Sequence, residues 1–184
     1  MRVIAGSRKK TRLETVEGMG TRPTTDRIKE TLFNMIASDV VDCRFLDLFA
    51  GSGQMGIEAL SRGAAYACFV EKDKRAIGCI KRNLDRTKLA DIAEVRSLDI
   101  TKGLSVLDEG EGYHIIFMDP PYRKGLEKAA LGYIQTSTLL LPDGYIILEA
   151  DIAEDLSFVE ELGYIITKQK QYKTNQHVFL IKGE

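Results

Sequence analysis

The stretch from Phe45 to Gly56 constrains this chain more than any other. Phe45-Leu46-Asp47-Leu48-Phe49 reads as a short apolar strand, and Ala50-Gly51-Ser52-Gly53 as a glycine turn. Gln54-Met55-Gly56 then opens a helix predicted to run to about Arg62. Gly51, Gly53 and Gly56 fit the spacing G-x-G-x-x-G, which lets backbone approach a ligand and packs a helix closely on a strand. Asp47 sharpens the reading. A dinucleotide fold keeps that place apolar and holds a pyrophosphate at the helix N-terminus. An acid there repels a pyrophosphate and suits a ligand carrying an ammonium group, which points to S-adenosylmethionine.

A length of 184 residues corresponds to about one domain, and the expected division is a basic arm and helix over 1–40 followed by a core over 44–184. No apolar run approaches the roughly 18 residues needed to span a bilayer, and the first ten residues lack the apolar stretch of a secretory signal. Cys43, Cys68 and Cys79 show no metal-ligand spacing, and Cys68 reads as a small buried hydrophobe. A reducing cytoplasm is the expected compartment. Neither a metal nor a membrane is an expected partner.

The formal charge of −1 is unevenly divided: residues 1–30 hold eight basic groups and four acids, a net +4, and the remainder carries −5. A basic arm on an acidic body suggests that a polyanion is met at one face. Residues 1–16 read as a short hairpin bearing Arg2, Arg8, Lys9, Lys10 and Arg12. After a loop over 18–23, Thr24 or Thr25 caps a helix with Asp26 in its first turn, and Arg22 beside that N-terminus makes it a ready anion site.

From Arg44 strands and helices alternate. Strands are expected near 44–48, 66–70, 93–97, 114–118 and 144–149, with helices near 54–62, 73–86, 101–108 and 124–138. A short helix near 153–162 precedes two last strands, near 164–170 and 177–182, joined as an antiparallel hairpin. The alternation implies an α/β, Rossmann-like fold: a seven-stranded, mostly parallel sheet with helices on both faces and a C-terminal antiparallel hairpin.

In such a sheet, ligands gather beyond the carboxyl ends of the strands. The first strand ends in Asp47 and the glycine loop. The second ends in Glu71, whose carboxylate suits the two hydroxyls of a ribose. The third ends near Asp99, placed to accept from an adenine amine or to cap a helix. The fourth ends in Asp119-Pro120-Pro121-Tyr122. Two prolines fix the backbone and remove two donors, so the Asp119 carboxylate and the Pro120 carbonyl form an acceptor pair suited to a planar –NH2 group. Tyr122 adds a flat face for a stacked base, worth roughly 1–3 kcal/mol.

Asp47-Leu48-Phe49-Ala50-Gly51-Ser52-Gly53 resembles motif I of class I S-adenosylmethionine-dependent methyltransferases. Asp119-Pro120-Pro121-Tyr122 resembles their amino-methylating motif IV. The opening Met1-Arg2-Val3-Ile4-Ala5-Gly6-Ser7, with Arg22-Pro23-Thr24-Thr25-Asp26-Arg27 and Leu32-Phe33-Asn34, is similar to the small-subunit (16S) rRNA guanine-N2-methyltransferase family. The likeness runs nearly end to end, and it implies transfer of one methyl to a guanine N2 of small-subunit rRNA, naked or in an assembling subunit. The expected catalytic set is Asp119, Pro120 and Tyr122. The expected cofactor set is Asp47, Phe49, Gly51, Gly53, Glu71, Asp99 and Thr25, and the expected RNA contacts are Arg2, Arg8, Lys9, Lys10, Arg22 and Lys173.

Other readings stay open on the residues alone. Asp-Pro-Pro-Tyr fits any planar amine, including adenine N6, cytosine N4 or a protein glutamine, although nothing here resembles a DNA target-recognition domain. A nonenzymatic RNA-binding or assembly protein would retain the fold without needing an intact amine motif. A nicotinamide oxidoreductase fits least, because Asp47 is ill placed for one.

Overall fold

The computed structural model describes residues 1–16, 26–108, 110–122 and 124–183, so the expected cap at Thr24 or Thr25 and Arg22 lie outside the described residues. The fold is a seven-stranded mixed sheet with helices, and the chain separates into two compact units, Met1–Ser97 and Leu98–Glu184.

In the first unit the helices α1 (Asp26–Met35) and α2 (Ala37–Val40) precede strand β1 (Arg44–Asp47). Helix α3 (Gln54–Ser61), strand β2 (Tyr66–Glu71), helix α4 (Lys74–Thr87) and strand β3 (Ala93–Ser97) follow. β2 pairs in parallel with β1 on one side and β3 on the other. The apolar strand residues Phe45, Leu46, Cys68 and Phe69 are fully buried, together with Ile57 of α3 and Ile80 of α4. Asp73 caps α4 by accepting from the backbone N–H groups of Arg75 and Ala76, and Lys88 ends it in the left-handed conformation.

The arm is a tight antiparallel loop rather than two regular strands. Arg2 faces Arg12, and backbone bonds run from Val3 N–H to Thr11 and from Leu13 N–H to Met1. What holds it is a buried carboxylate. Glu58 of α3 accepts from the N–H groups of Ile4 and Ala5 at 2.9 and 3.0 Å and pairs with Lys29 at 3.2 Å and Arg62 at 2.8 Å. Lys29 and Glu58 are both sealed from solvent, and Lys29 Nζ also donates to the Arg2 carbonyl. Burial lowers the Lys29 pKa, and the Glu58 charge opposes that shift. Gly6 closes the contact: with φ +82° its added Cβ would sit 1.8 Å from the Ser61 carbonyl oxygen, a space only glycine fits.

The second unit begins with a single helical turn, α5 (Ile100–Gly103), and a 3₁₀ turn (Leu104–Leu107) where one helix over 101–108 is expected; the break falls at Gly103. Strand β4 (Tyr113–Met118), helix α6 (Leu126–Thr136), strand β5 (Leu140–Asp151), helix α7 (Ser157–Glu161) and strands β6 (Tyr164–Gln171) and β7 (Asn175–Lys182) complete it. The order is β4-β5-β7-β6, with β4 and β5 parallel and β7 antiparallel to both neighbours. β5 starts four residues earlier than expected, at Leu140, and Pro142-Asp143-Gly144 continues the strand through a register irregularity between Tyr113 and Ile115. Gly144 permits this: a Cβ there would lie 2.8 Å from the His114 carbonyl oxygen.

Glu58→Ala should cost about 3–5 kcal/mol, the scale for leaving a buried partner charge unpaired. Urea unfolding of the variant checks this; a loss below about 1 kcal/mol would show that the arm is held by other contacts.

Candidate active site

Two carboxylates tie down the glycine loop of the first unit. Glu71, at the end of β2, accepts through Oε2 from Gly51 N–H at 2.9 Å and through Oε1 from the N–H groups of Lys72 and Asp73. Asp47, at the end of β1, accepts from Gly56 N–H at 3.1 Å, in the first turn of α3. Asn83 of α4 donates to the Ser52 carbonyl and to that of Glu14, joining loop and arm. Each glycine has its own reason. Gly51 and Gly53 hold φ of +54° and +79°, and a Cβ on Gly56 would strike the Phe69 ring at 2.3 Å.

A Cβ on Gly51, by contrast, would meet nothing within 4 Å, so this backbone borders open space. The Gln54 side-chain oxygen, in the first turn of α3, is buried with no partner among the described residues, an acceptor matched to a donor from outside. Phe49 is half-buried at the turn itself. Acids, an orphan acceptor and an open glycine together fit a ligand that carries hydroxyls and an ammonium group.

Asp47 is almost fully buried, and burial raises its carboxyl to about 7; the Gly56 N–H opposes the rise and the nearby Glu71 charge adds to it. Asp99 stands as the cap of α5, accepting from Thr101 N–H and hydroxyl.

In the second unit the amine motif follows β4 directly. Pro120 is buried, Asp119 half-buried and Tyr122 39% exposed, which leaves the phenol ring open to a partner. Burial first, then the charges of Glu149 and Asp119, push the Tyr122 phenol above its usual range. Glu149 is a residue that reading the sequence missed. Met118 stands opposite Leu148 in parallel register, so Asp119 and Glu149 are the next residues along on the two neighbouring strands. Glu149 accepts from Asn175 Nδ2 at 2.6 Å and lies 3.2 Å from His177 Nε2, both on β7. His177 is fully buried, with its Nδ1 3.3 Å from the Tyr172 hydroxyl. One tautomer, with the proton on Nε2, satisfies both contacts. A single acid at the end of the apolar run of β5 and a single histidine entering the apolar β7 were the available signal.

The basic residues divide. Lys9, Lys10 and Lys173 are exposed; Arg2 is exposed but bonded to Asp26 at 2.8 Å; Arg8 is half-buried, its backbone N–H bonded to the Ser61 hydroxyl. Among the described residues no group of His, Cys, Asp or Glu is arranged to hold a metal ion, and no helix is long and apolar enough to cross a membrane.

The model of the family described as conserved hypothetical protein 95 matches residues 1–181. The chain belongs to that family. The YlbH protein of Bacillus subtilis is 42% identical over 172 residues, covering 93% of this chain and 92% of its own. The Escherichia coli K12 protein named ribosomal RNA small subunit methyltransferase D is 36% identical over 160 residues, 86% of this chain and 79% of its own. The solved structure of Escherichia coli yhhF superposes with a TM-score of 0.85 at 32% identity, covering 100% of this chain and 98% of that one. This is a family of small-subunit rRNA methyltransferases on the class I fold, and its chemistry requires a methyl donor.

The Asp47 shift has a definite sign. The unfolded chain loses this proton near 3.8 and the folded chain near 7, so between those values the folded state binds more protons and rising pH lowers stability. The slope is up to about 1.4 kcal/mol per pH unit. Asp47→Asn should flatten that decline, measured as urea midpoints of ligand-free protein from pH 5 to 8; an unchanged decline would assign it to other groups.

Proposed function

We propose that this chain methylates the exocyclic N2 amine of a guanine in small-subunit rRNA, with S-adenosylmethionine as donor, in the cytoplasm. The observation that carries the reading is the Asp119-Pro120-Pro121-Tyr122 segment at the carboxyl end of β4, in a chain whose β1 ends in an acid and an open glycine loop. The N-terminal resemblance and the rRNA target in the name of the Escherichia coli relative support the substrate.

When bound, the cofactor supplies a methyl group on a sulfonium, already a good leaving group. Glu71 would accept from its ribose hydroxyls, Asp47 offset its ammonium charge, and Asp99 meet its adenine amine; Gly51 and Gly53 keep side chains out of its way, and Phe49 and Thr25 complete the contacts. Guanine N2 is a weak nucleophile because its lone pair is delocalised into the ring. The protein's task is therefore to hold that amine in line while it becomes tetrahedral. Asp119 and the Pro120 carbonyl accept its two hydrogens and stabilise the positive charge that develops, while Tyr122 stacks on the ring. The base leaves its own stack to reach them. Arg2, Arg8, Lys9, Lys10, Arg22 and Lys173 serve the phosphates.

Mapping methylated nucleotides in rRNA from cells with and without the gene tests the reading, which predicts one N2-methylguanine missing from the small subunit when the gene is absent. Asp119→Ala should abolish most transfer while S-adenosylmethionine affinity, by calorimetry, stays within about threefold, because its main partner is the target amine. Near-normal turnover would remove Asp119 from that role.

For the arm, Lys9→Gln with Lys10→Asn should weaken RNA binding and flatten its salt dependence, the slope falling by about 0.7–0.9 for each phosphate no longer neutralised. Asn is chosen because Lys10 holds φ +71°, which Asn tolerates. An unchanged salt slope would place the phosphates elsewhere.

A further inference from the structure

The amine motif alone does not choose among bases: a carboxylate and a carbonyl accept equally well from guanine N2, adenine N6 or cytosine N4. What differs is the ring atom next to the amine. In guanine it is N1–H, a donor; in adenine N1 and cytosine N3 it is a bare lone pair. A site that selects guanine therefore needs a second acceptor beside the one that takes the amine.

Glu149 meets that requirement. It is the β5 residue in line with Asp119 on the neighbouring strand, and its charge, like that of Asp119, acts on Tyr122. Asn175 and His177 each donate to one of its oxygens, which fixes the plane of the carboxylate. Its side chain is 7% exposed, so water screens it little and a lone pair aimed at it would be strongly disfavoured. A carboxylate has about four acceptor positions, and these two donors fill only two.

Resting on the function proposed above, we propose that Glu149 selects guanine: it accepts from N1–H while Asp119 and the Pro120 carbonyl hold the N2 amine. Asn175 and His177 act as positioning residues for it, and Tyr172 fixes the His177 ring through Nδ1.

The probe is 2-aminopurine, which keeps the exocyclic amine but carries a lone pair at N1 and lacks O6; the Glu149→Gln comparison isolates the N1 contribution. The full-length protein is given reconstituted small-subunit particles with either guanine or 2-aminopurine at the methylated position, and single-turnover rates are compared. Wild type should methylate guanine at least about tenfold faster. In Glu149→Gln, with His177 moving its proton to Nδ1 and accepting at Nε2, the amide nitrogen keeps a second N–H to donate to the bare N1, so the preference should fall to within about threefold or reverse, with cofactor affinity unchanged. A wild-type ratio near one overturns the assignment, as does a cofactor-binding Glu149→Gln that keeps the wild-type ratio. If the variant does not fold, the wild-type ratio decides alone. Failure of the functional reading looks different: wild type would then transfer no methyl to guanine N2 at all.

Discussion

The glycine loop after β1 stays in place because carboxylates hold its backbone from both sides. Glu71 takes the Gly51 N–H and Asp47 takes the Gly56 N–H, so the turn and the first turn of α3 are each anchored to the end of a strand. Positive φ at two glycines would otherwise leave this segment free to collapse into other turns. The same acids then give the loop its chemical character. Two of the backbone N–H groups that could meet a phosphate, those of Gly51 and Gly56, are already taken by carboxyl groups, which suits the loop to hydroxyls and cations.

A comparable arrangement appears in the second unit. Asp119 and Glu149 stand at the ends of adjacent parallel strands, and the aromatic ring of Tyr122 lies within the field of both. On β7, Asn175 supplies an amide and His177 an imidazole, one to each oxygen of Glu149. The antiparallel β7 thus does more than extend the sheet: Asn175 and His177 brace the Glu149 carboxylate on a neighbouring strand.

Local patterns carried most of the fold. Strand and helix positions follow from apolar runs broken by glycine, and the two motifs follow from residues adjacent in sequence. Departures occur where distant backbone decides. Gly144 lies against the His114 carbonyl where β5 begins four residues early, and Gly103 divides a helix that periodicity would leave whole. The partners of Glu149 lie 26 and 28 residues away across an antiparallel register that no short window contains. Nothing adjacent in sequence marks Glu58 and Lys29 as partners, and only packing shows that they face each other with no solvent between them. Asp99 was ambiguous for a different reason: an acid at a strand end is also an acid before a helix, and here it caps α5.

The knot around Glu58 also bears on the proposed contact with a phosphate backbone. A basic peptide hanging free must surrender its backbone freedom on binding, about 1–2 kcal/mol for each residue fixed. In this chain Ile4, Ala5, Ser7 and Arg8 are already bonded to α3, and the turn that carries Lys9 and Lys10 closes between Val3 and Thr11. The entropy is lost once, during folding, and not again at each encounter. The two lysines therefore project from fixed backbone positions, so that, in the proposed contact, they would favour some paths of a phosphate backbone over others where a flexible tail would accept any.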